Sequence, residues 1–400
     1  MKYLFFTLIY FLFASSVSAQ LVSISSGVTV DLDDCYFITS NIGFVVGGQG
    51  VVLKTTDGGV NWQEKSVSTL PFLQRPWLHS IVFTDANTGY AIGGGCFKTI
   101  DGGETWTELP TGWTTTALFS VCFTDFNTGY IAGGNGNILK TTNGGANWTL
   151  QQGGSGIELH GVSFTDSNNG WAVGYCQILH TNNGGTTWTI QDQSPVNYYN
   201  CNAIDQNTCY VSGTGGTILK TTDGGVTWNT QLTGTLSDIT ALFLFDANNG
   251  YAVGGQGTIL HTIDGGLTWT AQQSGLPTGI LFSVYFPATD VGYIAGGSGL
   301  FLKTTNGGYT GLYDSFSVNS YMQIWPNPAQ ETFTINLPFA GDKTVLLMTD
   351  LSGRTVHYEP ICKTTSTINC SHLNDGLYVI KTINDGKTTG CGKLIIQGNK

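Results

Sequence analysis

The chain of 400 residues contains 15 Lys and Arg against 26 Asp and Glu, which gives a formal net charge of −11. Only 10% of the residues are charged, 40% are hydrophobic and 56 are glycine. The hydrophobic content excludes a wholly disordered chain. The absence of a basic excess argues against a nucleic acid as partner.

The N-terminus has the features of a secretory signal peptide. Lys2 precedes an apolar run over residues 4–13, and Val17 and Ala19 are small residues before Gln20. This order predicts that residues 1–19 are removed on export. Every later apolar run is shorter than the roughly 18 residues that a membrane-spanning helix needs, so no transmembrane helix is predicted.

The middle of the chain is a sevenfold repeat. The phrase Lys-Thr-Thr-Asp-Gly-Gly-Val-Asn-Trp at 54–62 recurs with variations, and successive copies are separated by 44, 42, 40, 40, 41 and 40 residues. The copies end at Trp62, Trp106, Trp148, Trp188, Trp228, Trp269 and Tyr309. Repeats of about 40 residues are typical of the blades of a β-propeller.

Each repeat predicts four strands and no helix. Two short apolar runs flank an Asp-x-Asn-x-Gly turn, a third ends at the Asp-Gly-Gly turn, and the fourth opens with the Trp. The seventh copy lacks a fourth strand, and residues 20–27 resemble the missing piece. We therefore predict an all-β fold, a seven-bladed propeller over residues 20–312 in which the N-terminal strand closes the last blade.

The Asp-Gly-Gly-Val-Asn-Trp phrase resembles the Asp-box of bacterial neuraminidase-type repeats. Together with the Gly-Tyr-Ala-Val-Gly strand, it is most similar to the photosystem II assembly/stability-factor propellers. That family usually carries Arg where this chain has Lys or His, and Lys cannot make the bidentate contacts of Arg. The departure weakens the expectation of the family's protein-docking basic patch. The positions are Lys54, Lys98, Lys140, His180, Lys220, His261 and Lys303.

The Asp-box acids and amides are interpreted as structural. A short Asp or Asn side chain at the start of a turn bonds nearby backbone N–H groups, and seven such positions around a ring cannot form one active site. They are Asp57, Asp101, Asn143, Asn183, Asp223, Asp264 and Asn306.

Candidate ligand-binding residues are expected on the loop-rich face, which carries the connections between blades. Aromatic residues that look exposed there are Phe72, Trp77, Trp113, Tyr198 and Tyr199. Aligning the repeats also shows one variable position in strand one, which a purely structural position would fill alike in every blade. Around the ring this position is Asp33, His79, Phe119, His160, Tyr199, Thr240 and Phe282.

The sequence supports an enzymatic function less well than a binding function. By family resemblance, sialidase activity needs an arginine triad that binds the substrate carboxylate, but the chain contains only Arg75 and Arg354. A glycoside hydrolase needs two carboxylates across a cleft, and no spacing pairs the candidate acids. Those acids are Asp33, Asp34, Asp192 and Asp238. No metal site or cofactor is predicted, although Asp33 and His79 fall in adjacent blades.

The composition changes after a linker at 313–320. Residues 321–398 alternate apolar and polar positions, which predicts a small β-sandwich. The Pro-Asn-Pro opener at 326–328, the Leu-Ser-Gly-Arg turn at 351–354 and the Leu-Asn-Asp-Gly-Leu-Tyr strand at 373–378 resemble the C-terminal sorting domain of type IX (Por) secretion. The resemblance implies that the type IX machinery of a Bacteroidetes-type outer membrane is a partner, and that the protein is secreted or held at the cell surface. The nine cysteines are an odd number, so at least one thiol stays free or pairs between chains.

Three functions therefore remain open. The leading hypothesis is an exported propeller that binds an extracellular protein or glycan through its loop-rich face. The alternatives are an extracellular glycoside hydrolase and a structural or adhesin module without a small ligand.

Overall fold

The structure is a computed structural model. It describes residues 21–67, 74–110, 117–151, 156–272, 279–307, 323–337, 344–350, 354–361, 363–384 and 387–398. The chain divides into two compact units, one over Gln20–Gly308 and one that contains Tyr309–Lys400. The proposed signal peptide and linker lie outside the described residues.

The first unit is a ring of seven four-stranded antiparallel sheets, so the predicted all-β propeller is confirmed. Blade 1 consists of Leu32–Phe37, Gly43–Gly47, Val52–Thr55 and Gln63–Glu64 (β2–β5). Blade 2 consists of Leu78–Phe83, Gly89–Gly93, Cys96–Thr99 and Thr107–Leu109 (β6–β9). Blade 3 consists of Leu118–Phe123, Gly129–Gly133, Ile138–Thr141 and Thr149–Gln151 (β10–β13). Blades 4 to 6 consist of Leu159–Phe164, Gly170–Gly174, Gln177–Thr181 and Thr189–Asp192 (β14–β17); Tyr198–Ala203, Cys209–Gly213, Ile218–Thr221 and Asn229–Thr230 (β18–β21); and Ile239–Leu244, Gly250–Gly254, Ile259–Thr262 and Thr270–Ala271 (β22–β25).

Blade 7 is built from both ends of the propeller sequence. Leu281–Tyr285, Gly292–Gly296 and Phe301–Thr304 (β26–β28) are completed by Val22–Ser23 (β1), which pairs antiparallel with β28. The Ile24 backbone N–H adds a hydrogen bond of 3.0 Å to the Phe301 carbonyl oxygen. The predicted closure by the N-terminal strand is confirmed.

Aromatic stacks join neighbouring blades. In blades 2 and 3, the strand-two rings of Tyr90 and Tyr130 stack on Phe123 and Phe164 of the next blade, with centroids 4.2 and 3.6 Å apart. In blades 1 to 4 the Trp that ends the Asp-box phrase meets the Phe of its own blade edge-on, as Trp148 does with Phe123. Strand two is buried along its whole length, since both of its faces are covered by other blades.

The fourth strand begins one residue later than the sequence suggests. In blade 1, Trp62 precedes β5 (Gln63–Glu64), and in blade 2 Trp106 precedes β9 (Thr107–Leu109). The physical reason is that the Trp ring is drawn into the core, where Trp106 is only 9% exposed, and ladder pairing starts after it.

The second unit contains two antiparallel sheets around one apolar core, as expected for a small β-sandwich. One sheet has Gln323–Trp325, Thr332–Asn336 and Thr365–Asn369 (β29, β30, β33). The other has Thr355–Pro360, Thr344–Thr349, Gly376–Asn384 and Lys387–Ile396 (β32, β31, β34, β35). Asp350 accepts hydrogen bonds from the backbone N–H and Nε of Arg354 across the β31–β32 hairpin. Among the residues described in either unit, no helix is long and apolar enough to cross a membrane.

Candidate ligand-binding site

A cavity of about 930 Å³ lies where the first strands of all seven blades converge. All seven residues of the variable strand-one position line its wall: Asp33, His79, Phe119, His160, Tyr199, Thr240 and Phe282. The first strand is the innermost of each sheet, so one register position points seven side chains at the axis. The position that varies in the repeat alignment is therefore one that faces the cavity, and ligand binding by these residues stays a prediction.

Five rings stand side by side along one side of the cavity and its rim, and we call them the aromatic arc. Its members, from blade 2 to blade 5, are Trp77, His79, Phe119, His160 and Tyr199. Consecutive ring centroids lie 6.1, 5.3, 4.8 and 6.1 Å apart, which are the separations of interacting aromatic rings. Four of the rings line the cavity, whereas Trp77 lies next to the lining, at what we call the rim, where it stacks on His79 and is 46% exposed. The arc is therefore a continuous aromatic surface across four blades that is open at one end.

Two carboxylates orient the ends of the arc. Asp33 Oδ2 accepts a hydrogen bond of 2.9 Å from Trp77 Nε1 and lies 2.8 Å from His79 Nδ1. At the other end, Asp238 Oδ2 accepts a hydrogen bond of 3.3 Å from the Tyr199 hydroxyl, and its Oδ1 accepts one from the Gly215 backbone N–H. Each carboxylate comes from the blade beside the ring that it holds. Both therefore fix ring orientations and bring negative charge to the ring edges.

One imidazole of the arc, that of His160, is half-buried against other rings. Burial lowers the pKa of His160, and Glu158 Oε2 is 3.8 Å from its Nε2. The ring packs against Tyr175 as well as Phe119, with centroids 4.7 and 4.8 Å away. His160 therefore serves as a weakly polar aromatic surface in the wall of the cavity.

Asp34 lies deeper in the wall than the arc and links three blades. Its Oδ2 accepts the Ile81 backbone N–H of blade 2 at 2.9 Å, and its Oδ1 accepts the Ser283 hydroxyl of blade 7 at 2.8 Å. Ser120 makes the corresponding bond to the Val162 N–H in blades 3 and 4. Burial of the carboxyl raises the pKa of Asp34 to about 6.

We expect Asp34→Asn to change how stability depends on pH. The folded state holds the Asp34 proton more tightly than the unfolded state, so this group stabilises the fold most below about pH 4 and loses that contribution as pH rises through 6. The wild type should lose about 1–2 kcal/mol relative to the variant between pH 4.5 and 7.5, a value reduced for solvent in the cavity. Urea unfolding at both pH values measures this difference; parallel pH profiles would contradict it.

Three of the aromatic residues expected at the loop-rich face are not part of the described cavity wall. The expectation that Tyr198 is exposed is wrong: it is fully buried beside Trp171 and Val211, and its hydroxyl donates to Asp192 Oδ2 at 2.7 Å. Successive strand residues face opposite sides, so the register that turns Tyr199 to the cavity turns Tyr198 into the core. Trp113 and Phe72 lie outside the described residues.

The Asp-box side chains are engaged within their own turns. Asp57 Oδ1 accepts the Thr55 hydroxyl and the Asn61 N–H, both at 2.9 Å, and the bonds from Asn61 lower the pKa of Asp57 to about 2. The other Asp and Asn side chains likewise accept the Thr hydroxyl two residues earlier: Asp101, Asn143, Asn183, Asp223, Asp264 and Asn306. These contacts support a structural role.

The repeat lysines are used within the ring. Four of them donate from Nζ to the carbonyl oxygen of an Asp-box glycine in the next blade, at 2.7–2.9 Å. These are Lys98, Lys140, Lys220 and Lys303. Lys54 instead pairs with Glu104 Oε1 at 2.6 Å, and His261 stacks on Tyr251. The five lysines therefore join neighbouring blades and do not form an open basic patch.

A metal site at the Asp33–His79 pair finds no further support. In the described parts of the chain, no group of three or more His, Cys, Asp or Glu side chains is placed to hold a metal ion.

The sequence does not reveal the role of Asp238, which it shows only as an acid near an inter-blade segment. Its partner Tyr199 is 39 residues earlier, so no local spacing could reveal the contact.

Comparison with known proteins defines the family. A family model described as "Photosynthesis system II assembly factor YCF48" matches residues 14–112, 111–242 and 232–318. The chain belongs to the YCF48 family. A second model, "Secretion system C-terminal sorting domain", matches residues 323–397. This domain marks the protein for type IX export to a secreted or cell-surface location.

Individual YCF48 proteins resemble the propeller at low identity. "Photosystem II assembly lipoprotein Ycf48" of Synechococcus sp. (strain CC9902) is 26% identical over 200 residues, which cover 48% of this chain and 59% of that protein. The solved structure "YCF48 bound to D1 peptide" is 21% identical with a TM-score of 0.61, covering 71% of this chain and 96% of that one. "YCF48 from Cyanidioschyzon merolae" is 19% identical with a TM-score of 0.59, covering 71% and 98%. The structural likenesses establish the fold.

Proposed function

We propose that the propeller is an extracellular binding module that holds its ligand against the aromatic arc. The observation that carries this proposal is the arc itself, five neighbouring rings on the wall and rim of a cavity of about 930 Å³. Pockets of this size with aromatic walls and a few placed polar groups are typical binding sites. The cavity is therefore a better candidate than the blade edges, whose lysines are already engaged.

An extended peptide is the ligand class that the comparisons favour. One family member has been solved with a peptide, as its title "YCF48 bound to D1 peptide" says. A glycan is the second candidate, because aromatic faces also provide stacking surfaces for sugar rings. Hydrolysis has less support: Asp33 and Asp238 are both engaged in orienting rings of the arc.

The proposal is tested by removing rings from the arc. The chain from Gln20 to Lys400 is used to select from a random peptide library and is applied to a glycan array, together with Trp77→Ala and Phe119→Ala. We expect selected peptides to lose about tenfold or more in affinity with either variant, because each substitution removes a large aromatic contact. Calorimetric titration of the selected peptides measures the loss.

Phe126→Ala is the matched control. Phe126 is 64% exposed and lies in the turn after β10, at the end of that strand away from the cavity. Its removal should leave binding unchanged. The proposed site is refuted if the protein captures neither peptides nor glycans. It is also refuted if all three variants bind as tightly as the wild type. If the protein binds glycans alone, a glycan is the ligand.

A further inference from the structure

The carboxylates around the aromatic arc have no lysine or arginine beside them in the described wall of the cavity. Asp33 and Asp238 lie at its two ends, and Asp34 lies in the wall beneath it. Among the described residues that line the cavity, none is Lys or Arg. A low-dielectric wall with half-buried carboxylates concentrates negative potential in the cavity.

Nearby positive charges are already neutralised or directed elsewhere. Arg75 is two residues before Trp77 in the sequence, but its Nη1 is paired with Glu64 Oε1 at 2.7 Å. The repeat lysines sit near the Asp-box turns, at the ends of the blades away from the cavity, where Lys98 and Lys140 bond backbone carbonyls. The negative potential of the cavity therefore has no lysine or arginine of the described wall to balance it.

The rings themselves suit a positive charge. The faces of Trp, Tyr and Phe carry negative electrostatic potential and attract ammonium and guanidinium groups. Trp77 and Tyr199 donate their N–H and O–H to carboxylates in the direction of the ring edge, so their faces stay available. An arginine side chain can stack its planar group on such faces while its N–H groups reach a carboxylate.

We propose that the ligand of the arc is a basic peptide segment, held by an arginine or lysine side chain that lies on the rings between Asp33 and Asp238. The inference rests on the proposed function and narrows it to one ligand class. The cavity volume of about 930 Å³ accommodates a long side chain together with part of its backbone. The site thus has the opposite charge preference from a basic docking patch.

The experiment compares charged side chains with neutral ones of the same shape. Peptides captured by the chain from Gln20 to Lys400 at pH 8, where imidazole is neutral, should be enriched in Arg and Lys. Replacing the key arginine by citrulline, or the key lysine by Nε-acetyl-lysine, should weaken binding by about tenfold. Asp238→Asn and Asp33→Asn should weaken binding of the charged peptide severalfold more than binding of the neutral analogue, because the loss of charge acts on the charged peptide alone.

Asp246→Asn controls for the loss of one negative charge. Asp246 lies in the turn after β22, away from the cavity, and caps the Asn248 N–H; an Asn at this position can cap the same turn. Thermal melts check that the Asp33 and Asp238 variants remain folded. Some selected peptides could depend on Trp77 and Phe119 for binding and yet bind equally well when citrulline replaces their arginine. That result would overturn the basic-ligand inference and leave the proposed function standing. Absence of any peptide that needs Trp77 and Phe119 would overturn both.

Discussion

Deleting residues 20–27 is expected to lower the melting temperature of the propeller by roughly 10 °C. The deletion removes β1, so β28 loses its partner from Lys303 to Phe301. It also removes Leu21 and Ile24, which pack on the cores of the two blade interfaces beside blade 7. Burial of two such side chains and the lost backbone bonds together contribute about 5 kcal/mol.

The closing strand can be tested separately from general damage to the chain. A synthetic peptide of residues 20–28, added in trans, should restore most of the lost stability, while a scrambled peptide should not. Ser26→Ala removes only the hydroxyl that donates to the Gly299 carbonyl oxygen at 2.7 Å, so its effect should be about 1 kcal/mol. Calorimetric melts that are the same for the deletion and the full propeller would show that closure does not stabilise the ring.

Gly254→Ala is expected to destabilise the propeller by about 3 kcal/mol. Gly254 ends β23 with φ of −177°, an extended conformation that any residue can adopt. The requirement for glycine comes from close approach, since a Cβ atom there would lie 1.9 Å from the Asp238 carbonyl oxygen. Relief of that clash requires moving the backbones of strands one and two apart within blade 6, and urea unfolding measures its cost.

The neighbouring glycine provides the control. A Cβ atom on Gly255 would meet nothing closer than 3.8 Å, so Gly255→Ala should change the free energy of unfolding by less than about 1 kcal/mol. Because Asp238 orients Tyr199, Gly254→Ala should also weaken ligand binding at the arc. Equal stability of the two variants would show that the backbone absorbs the added methyl group without cost.

The close approach at Gly254 also explains a feature of the sequence. Strand two ends in glycine in every blade. A Cβ atom added to this glycine would lie very close to the backbone carbonyl oxygen of the residue before strand one, at 2.0 Å for Gly47, 1.9 Å for Gly93 and 1.9 Å for Gly174. The sequence pattern showed this glycine as part of a repeated strand, with no indication of the neighbour that excludes a side chain. A recurring glycine reveals a constraint, and only the packed strands identify its cause.

The repeat register predicted more of the site than the appearance of single residues did. Tyr199 was placed with His79 and His160 by its position in strand one, and the structure brings these rings to one wall. Tyr198 was chosen because it is a large aromatic residue near a loop, and it is buried. Register carries directional information because side chains alternate along a strand, whereas residue type alone does not.

The sequence by itself determined the all-β ring of seven blades, its closure by the N-terminus and the sorting domain, because these depend on the repeat period, the turn residues and the order of motifs along the chain. The tertiary structure decided which groups meet: Asp33 with Trp77, Asp238 with Tyr199, and Asp34 with Ser283 across 249 residues. Such contacts form between blades, and their geometry follows from how the sheets twist and pack around the axis. The shape and charge of the cavity therefore depend on inter-blade packing that no local pattern encodes.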